Sequence, residues 1–121
     1  MDKTFVIVNP AAGGGRASKV WPAVCEKMLR SLGPFDFAST NGPGHARQLA
    51  MDATQEGYPF IVSCGGDGTV HEVVNGLLEG ATGRPSTLGL VALGTGCDLA
   101  RSLKIPRGID SQIAILAGKK T

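Results

Sequence analysis

Charge of one sign is scarce in this 121-residue chain: 12 Lys and Arg stand against 10 Asp and Glu, a formal net charge of +2. A balance this weak argues against a nucleic-acid partner and against binding to an anionic membrane, both of which draw on dense basic patches. Cysteine is nearly as scarce. Cys25, Cys64 and Cys97 are odd in number, far apart and free of any CxxC pair, which excludes a disulfide frame and a zinc site. No apolar run approaches the length of a membrane span. The first, residues 5–8, stops at Asn9-Pro10, too short for the core of an export signal. The thiols therefore read as reduced and the location as cytoplasmic. With 42% apolar and 18% charged residues the composition is globular, not disordered. The length suits one domain with a real core.

Glycine is plentiful. Its 18 copies are about twice the ordinary share, and they gather where apolar runs end. The most informative such place is Phe60-Ile61-Val62-Ser63-Cys64-Gly65-Gly66-Asp67-Gly68-Thr69-Val70-His71-Glu72. Its first part has the short, apolar, β-forming character of a strand covered on both faces. The glycines permit a sharp turn and a close backbone approach to a ligand. Val70, Val73, Val74, Leu77 and Leu78 then recur with the spacing of one buried helical face. Thr69 and Glu72 have the spacing of a capping box, which places the helix start near Thr69. Both residues also remain candidates for a ligand. A helix start at a strand end suits phosphate, but a carboxylate there is unwelcome unless a cation intervenes. Asp67 thus points to a magnesium–nucleotide site, directly or through water.

The rest of the chain repeats the pattern of strand, glycine turn and helix. Residues 5–8 read as a central strand, followed by Asn9-Pro10-Ala11-Ala12-Gly13-Gly14-Gly15. A helix follows with Ala17, Val20, Trp21, Val24, Cys25, Met28, Leu29 and Leu32 on one stripe and Gly33-Pro34 at its end. Residues 35–39 alternate and read as an edge strand, and residues 40–44 as a turn. A helix over 45–56 turns the small residues Ala46, Ala50 and Ala53 inward, with Leu49. His45 can cap its start, His71 falls on the polar side of its helix, and Trp21 belongs to the core. A fourth strand over 88–93 leads into Gly94-Thr95-Gly96-Cys97-Asp98, and helices follow up to Pro106 and over 109–117. Lys119 and Lys120 read as a solvated tail.

Alternating β and α elements with buried strands imply a three-layer α-β-α domain on a parallel sheet, Rossmann-like in type. Keeping the alternating strand at the edge gives the order 2-1-3-4. Ligands of such sheets sit beyond the strand C-termini, which collects Asn9, Gly13, Thr40, the Gly65–Thr69 turn and the Gly94–Asp98 turn on one rim.

These segments carry a family resemblance. Asn9-Pro10 with its glycines, Gly65-Gly66-Asp67-Gly68-Thr69, Glu72-Val73-Val74-Asn75-Gly76, and Gly94-Thr95-Gly96 with Asp98-Leu99-Ala100-Arg101 resemble the diacylglycerol kinase catalytic domain, a family that includes bacterial lipid kinases and sphingosine kinases. The GGDGT element alone is shared with NAD kinases and, in variant form, with phosphofructokinases. The resemblance covers nearly all of 1–121 and implies ATP-dependent transfer of a γ-phosphoryl group to a lipid hydroxyl. It implies nucleotide contacts from Asn9, Pro10, Ala11, Ala12, Gly13, Thr40, Gly65, Gly66, Asp67, Gly68, Thr69, Val70, His71, Glu72, Gly94 and Thr95. Asp67 would be the catalytic residue, and Asp67 with Asp98 would hold Mg²⁺, through water. No Gly-Lys-Ser/Thr follows the glycines, so backbone amides and metal take the part of a P-loop lysine. Cys97 replaces the family's usual asparagine, and Ala12 its frequent serine; either change weakens nucleotide contact.

The family continues into a second, β-rich domain that carries the lipid contacts and the general base. This chain is expected to lack it and to turn over little alone. Membrane contact is expected only of a full-length protein. Surface left bare by a missing domain can drive homo-oligomerisation. Two other readings remain: an NAD kinase-like enzyme, against which Gly94-Thr95-Gly96 and the Asn9-Pro10 loop argue, and a non-catalytic nucleotide- or partner-binding module.

Overall fold

The computed structural model describes residues 4–80 and 86–92. Among them strands and helices alternate: β1 (Thr4–Val8), α1 (Arg16–Leu32), β2 (Asp36–Ser39), α2 (His45–Gln55), β3 (Phe60–Gly65), α3 (Asp67–Glu79) and β4 (Thr87–Ala92). The expectations for Gly94, Thr95, Cys97, Asp98 and the helices after them lie outside the described residues.

The strands form one fully parallel sheet in the order β2-β1-β3-β4, as the hydrophobic pattern implies. β1 and β3, the continuous apolar runs, take the centre, where both faces are covered. All six residues of β3 are buried. Side-chain alternation then divides the core in two. Val6, Val8, Val62, Cys64 and Val91 pack under Ala17, Val24 and Met28 of α1. Ile7 and Ile61 pack on the opposite face under Ala46, Ala50 and Ala53 of α2 and Val73 of α3. Each fully buried Val, Ile or Met contributes about 1.5–3 kcal/mol, so the two clusters hold the strand ends in a fixed frame.

The small residues of α2 let it approach α3 closely. Gly76 marks the tightest point: a Cβ there would lie 2.2 Å from the Arg47 carbonyl oxygen and 2.8 Å from Ala50 Cβ. An ion pair, Arg47 Nη2 to Glu79 Oε2 at 2.6 Å, closes the same seam at its surface.

Some expectations need correction. Leu29, Val74 and Leu78 are 45%, 36% and 72% exposed, so the buried stripes are narrower than the apolar spacing suggests. On α3 the row Val70, Val73, Gly76 faces inward, and Val74 and Leu78 lie outside it, exposed. α1 also runs unbroken through Pro22, although a proline removes one helical hydrogen bond. Phe37 of the edge strand is 50% exposed and is covered on one side by Trp21, with ring centroids 5.5 Å apart. Trp21 therefore packs at the rim of its cluster and not in its middle.

Candidate functional site at the strand ends

β1 and β2 finish level with one another and β3 one residue beyond, and the hydrogen-bond ladder runs one residue past β1 and β2. Asn9 N–H donates to Cys64 O at 2.9 Å, and Thr40 N–H donates to Val8 O at 2.8 Å. That brings three loops side by side: 9–15 after β1, 40–44 after β2, and the start of α3 after β3.

The side chain of Asn9 joins all three. Its Oδ1 accepts from the N–H of Ala11 at 3.0 Å and, at 3.4 Å, from the hydroxyl of Thr40. Its Nδ2 donates to Thr69 Oγ1 at 3.0 Å. The loop then winds through Gly13, Gly14 and Gly15 at φ values of 65°, 68° and 93°. Side chains rarely adopt that region, so the glycines are what return the chain to α1 so quickly.

α3 begins three residues earlier than the capping-box spacing implies. Gly66 is its N-cap, in extended conformation, and no side chain caps it. The first helical bond is Val70 N–H to Gly66 O, 3.2 Å, which leaves the N–H groups of Gly68 and Thr69 ahead of the helical ladder. Thr69 does not cap the helix because Asn9 occupies its hydroxyl. Glu72 does not reach back because its Oε1 accepts from Gly44 N–H at 3.0 Å. Gly44 is the N-cap of α2, whose own first turn holds no acidic residue. Glu72 thus supplies the carboxylate that complements that helix dipole. His45 likewise braces the loop, its Nδ1 accepting from Asn41 N–H at 2.8 Å. Gly65 has no Cβ for a steric reason, since one would lie 2.5 Å from Thr69 Oγ1.

Between the loops opens a cleft of about 370 Å³, within the range of small-molecule sites. Of the expected site residues, Asn9, Ala11, Ala12 and Gly13 line one wall, Thr40 the back, and Gly66, Gly68, Thr69 and Glu72 the other wall. Pro10, Gly65, Val70 and His71 do not line it. Pro10 O accepts from Ser18 N–H, Gly65 and Val70 are buried, and His71 is exposed and paired with Asn75 at 3.2 Å. Asp67 is the first residue of α3, half-buried between Gly66 and Gly68, and its own atoms lie outside the lining. Gly42, Pro43 and Ala46 also line the cleft. Sequence reading assigned them only to a turn and a helix face; the signal was the Gly-Pro-Gly opening directly before a helix.

Among the described residues no three of His, Cys, Asp and Glu gather to hold a metal. A magnesium ion here would rely on one carboxylate and on the ligand's own oxygens, which is its usual habit beside phosphates. Two carboxylates stand near the cleft, Glu72 in its lining and Asp67 at the first position of α3, just outside it.

The chain matches the model of the diacylglycerol kinase catalytic domain over residues 3–121. It is 36% identical over 107 residues to a diacylglycerol kinase of Bacillus subtilis (strain 168), covering 88% of this chain and 35% of that one. It is 33% identical over 116 residues to a diacylglycerol kinase of Staphylococcus haemolyticus (strain JCSC1435), covering 96% and 34%. A solved diacylglycerol kinase of Bacillus anthracis str. Sterne superimposes with a TM-score of 0.82 at 26% identity, over 98% of this chain and 40% of that one. The chain thus spans about a third of the length of the curated relatives, 35% in the first case. On the match across residues 3–121 and the α/β frame it shares with the solved relative, the chain belongs to the diacylglycerol kinase catalytic domain family.

Proposed function

We propose that this chain is the nucleotide-binding part of an ATP-dependent lipid kinase, and that the cleft between the Asn9 loop, Thr40 and the start of α3 takes Mg·ATP. The observation that carries this reading is the convergence of a glycine loop, two threonine hydroxyls and the first turn of α3 on one cleft. Backbone amides and a helix N-terminus suit the charge of a polyphosphate. Phosphoryl transfer needs mostly positioning and charge stabilisation. When bound, Mg²⁺ would neutralise charge on the phosphates, with Asp67, and Asp98 beyond the described residues, as its protein partners through water.

The names of the relatives favour diacylglycerol, or a lipid alcohol like it, as acceptor. The general base and lipid contacts are assigned to a β-rich domain that the family carries after this one. Among the described residues no helix is long and apolar enough to cross a membrane. A cytoplasmic protein that meets the bilayer only peripherally is the reading in keeping with this.

Calorimetric titration of Mg·ATP into the chain and into Asp67→Ala tests the assignment. Removal of a charge-assisted contact should weaken binding about ten- to hundredfold. Equal affinity of the two proteins would remove the role given to Asp67.

A further inference from the structure

The orientation of the Asn9 amide is fixed by its neighbours. Ala11 N–H can only donate, and it lies 3.0 Å from Oδ1, so the amide oxygen faces Ala11 and the nitrogen faces Thr69, 3.0 Å away. An amide nitrogen only donates and an amide oxygen only accepts. Thr69 Oγ1 must therefore accept from Asn9, and its own hydrogen points elsewhere. Thr40 is in the opposite state. Its Oγ1, 3.4 Å from Oδ1, donates to Asn9 and keeps its lone pairs for other partners. Both threonines are almost fully buried, 9% and 3% exposed, and both line the cleft.

We infer that Asn9 is a positioning residue that sets opposite hydrogen-bond polarity in the two threonines. Thr69 presents a proton, suited to an anionic oxygen of a phosphate. Thr40 presents an acceptor, suited to a hydroxyl or amino group on the same ligand. Asn9 acts on the ligand through these hydroxyls, because its own oxygen is already occupied by two donors. The inference rests on the nucleotide reading and adds to it a division of labour within the site.

A double-mutant cycle tests it, with the whole 121-residue chain and the magnesium complex of adenylyl imidodiphosphate as ligand. Asn9→Ala and Thr69→Val should each weaken binding about five- to tenfold, the worth of one neutral hydrogen bond. The double variant should be no weaker than Asn9→Ala within about twofold, and Thr69→Ser, which keeps the hydroxyl, should recover most of the loss seen in Thr69→Val. Multiplicative losses in the double variant would overturn the inference, since Asn9 would then act independently of Thr69.

Asn9→Asp gives a second measurement should Asn9→Ala fold poorly. A carboxylate still accepts from Ala11 and Thr40 but cannot donate to Thr69; protonated, it can. Relative to the unaltered chain, its affinity should recover as the pH falls toward about 4. Glu72, His45 and Asp67 are the titratable groups nearest the cleft, and both proteins carry them. A ratio that stays flat with pH would refute the polarity argument. Failure of the unaltered chain to bind the analogue would instead refute the nucleotide reading, and this inference with it.

Discussion

Gly76→Ala is the substitution for which two ordinary rules give opposite signs. Alanine is the better helix former, and in the interior of α3 it should gain about 0.8–1.0 kcal/mol. The seam between α2 and α3 opposes that gain. The new Cβ would stand 2.2 Å from the Arg47 carbonyl oxygen, 2.8 Å from Ala50 Cβ and 3.0 Å from the Met51 nitrogen. Two of these are backbone atoms inside a helix and cannot swing aside, so the helices must part. Overpacking of this kind costs about 1–3 kcal/mol, occasionally more, and an approach this short belongs at the upper end. The net loss is about 1–2 kcal/mol, which lowers the melting temperature by at least about 4 °C in a domain of this size. Parting the helices also stretches the Gly44–Glu72 hydrogen bond, so the Gly44 amide should lose protection from hydrogen exchange. Thermal melts followed by circular dichroism suffice, with Gly68→Ala as control, because nothing lies within 4 Å of a Cβ at that position. A Gly76→Ala protein melting at or above the temperature of the unaltered chain would refute the close-packing argument.

Two further outcomes concern titration and reactivity. The hydrogen bond from Tyr58 Oη to Asp36 Oδ2, 2.5 Å long, together with burial and nearby negative charge, pushes the phenol up to about 12. The neutral form is favoured by the fold, so this stabilisation is complete below the ordinary value of about 10 and disappears as the pH rises through the folded value. Tyr58 is the chain's single tyrosine, so tyrosinate absorbance should show the raised midpoint directly, and Asp36→Ala should bring it down; an ordinary midpoint in the unaltered chain would count against the bond. Burial also raises the thiols of Cys64 and Cys25, but Cys64 is fully buried in the sheet and Cys25 only half-buried. Mass spectrometry after brief alkylation of the native chain should find Cys25 modified well ahead of Cys64, and equal labelling would mean that β3 opens readily.

The sheet was legible because its determinants are local. Residues 5–8 and 60–64 are continuous apolar runs and became the central strands, while the alternating Asp36–Ser39 became the edge. The meeting of Asn9, Thr40 and Thr69 at one rim followed from that order. What sequence could not resolve were choices among partners. Thr69 and Glu72 have the spacing to bond each other's backbone, yet each found a partner from another loop, Asn9 and Gly44, and the helix start moved to Asp67. Leu78 and Val74 fit a helical stripe, but which row of a helix is covered depends on how near its neighbour can come, and that was decided by Gly76. The cleft-lining Gly42 and Pro43 carry no chemistry of their own, so only their place directly before a helix could have marked them.

The strand order also dictates a timetable for synthesis. β1 emerges first and pairs with β2 across α1, but its other edge is completed only by β3. At about 5–20 residues per second, about one to five seconds separate the two events. During that interval Val6, Ile7 and Val8 belong to an unfinished two-stranded ribbon with a bare apolar flank. The nascent chain is therefore most prone to mispairing just before Phe60–Gly65 leaves the ribosome, and a pause in translation there would lengthen the exposure.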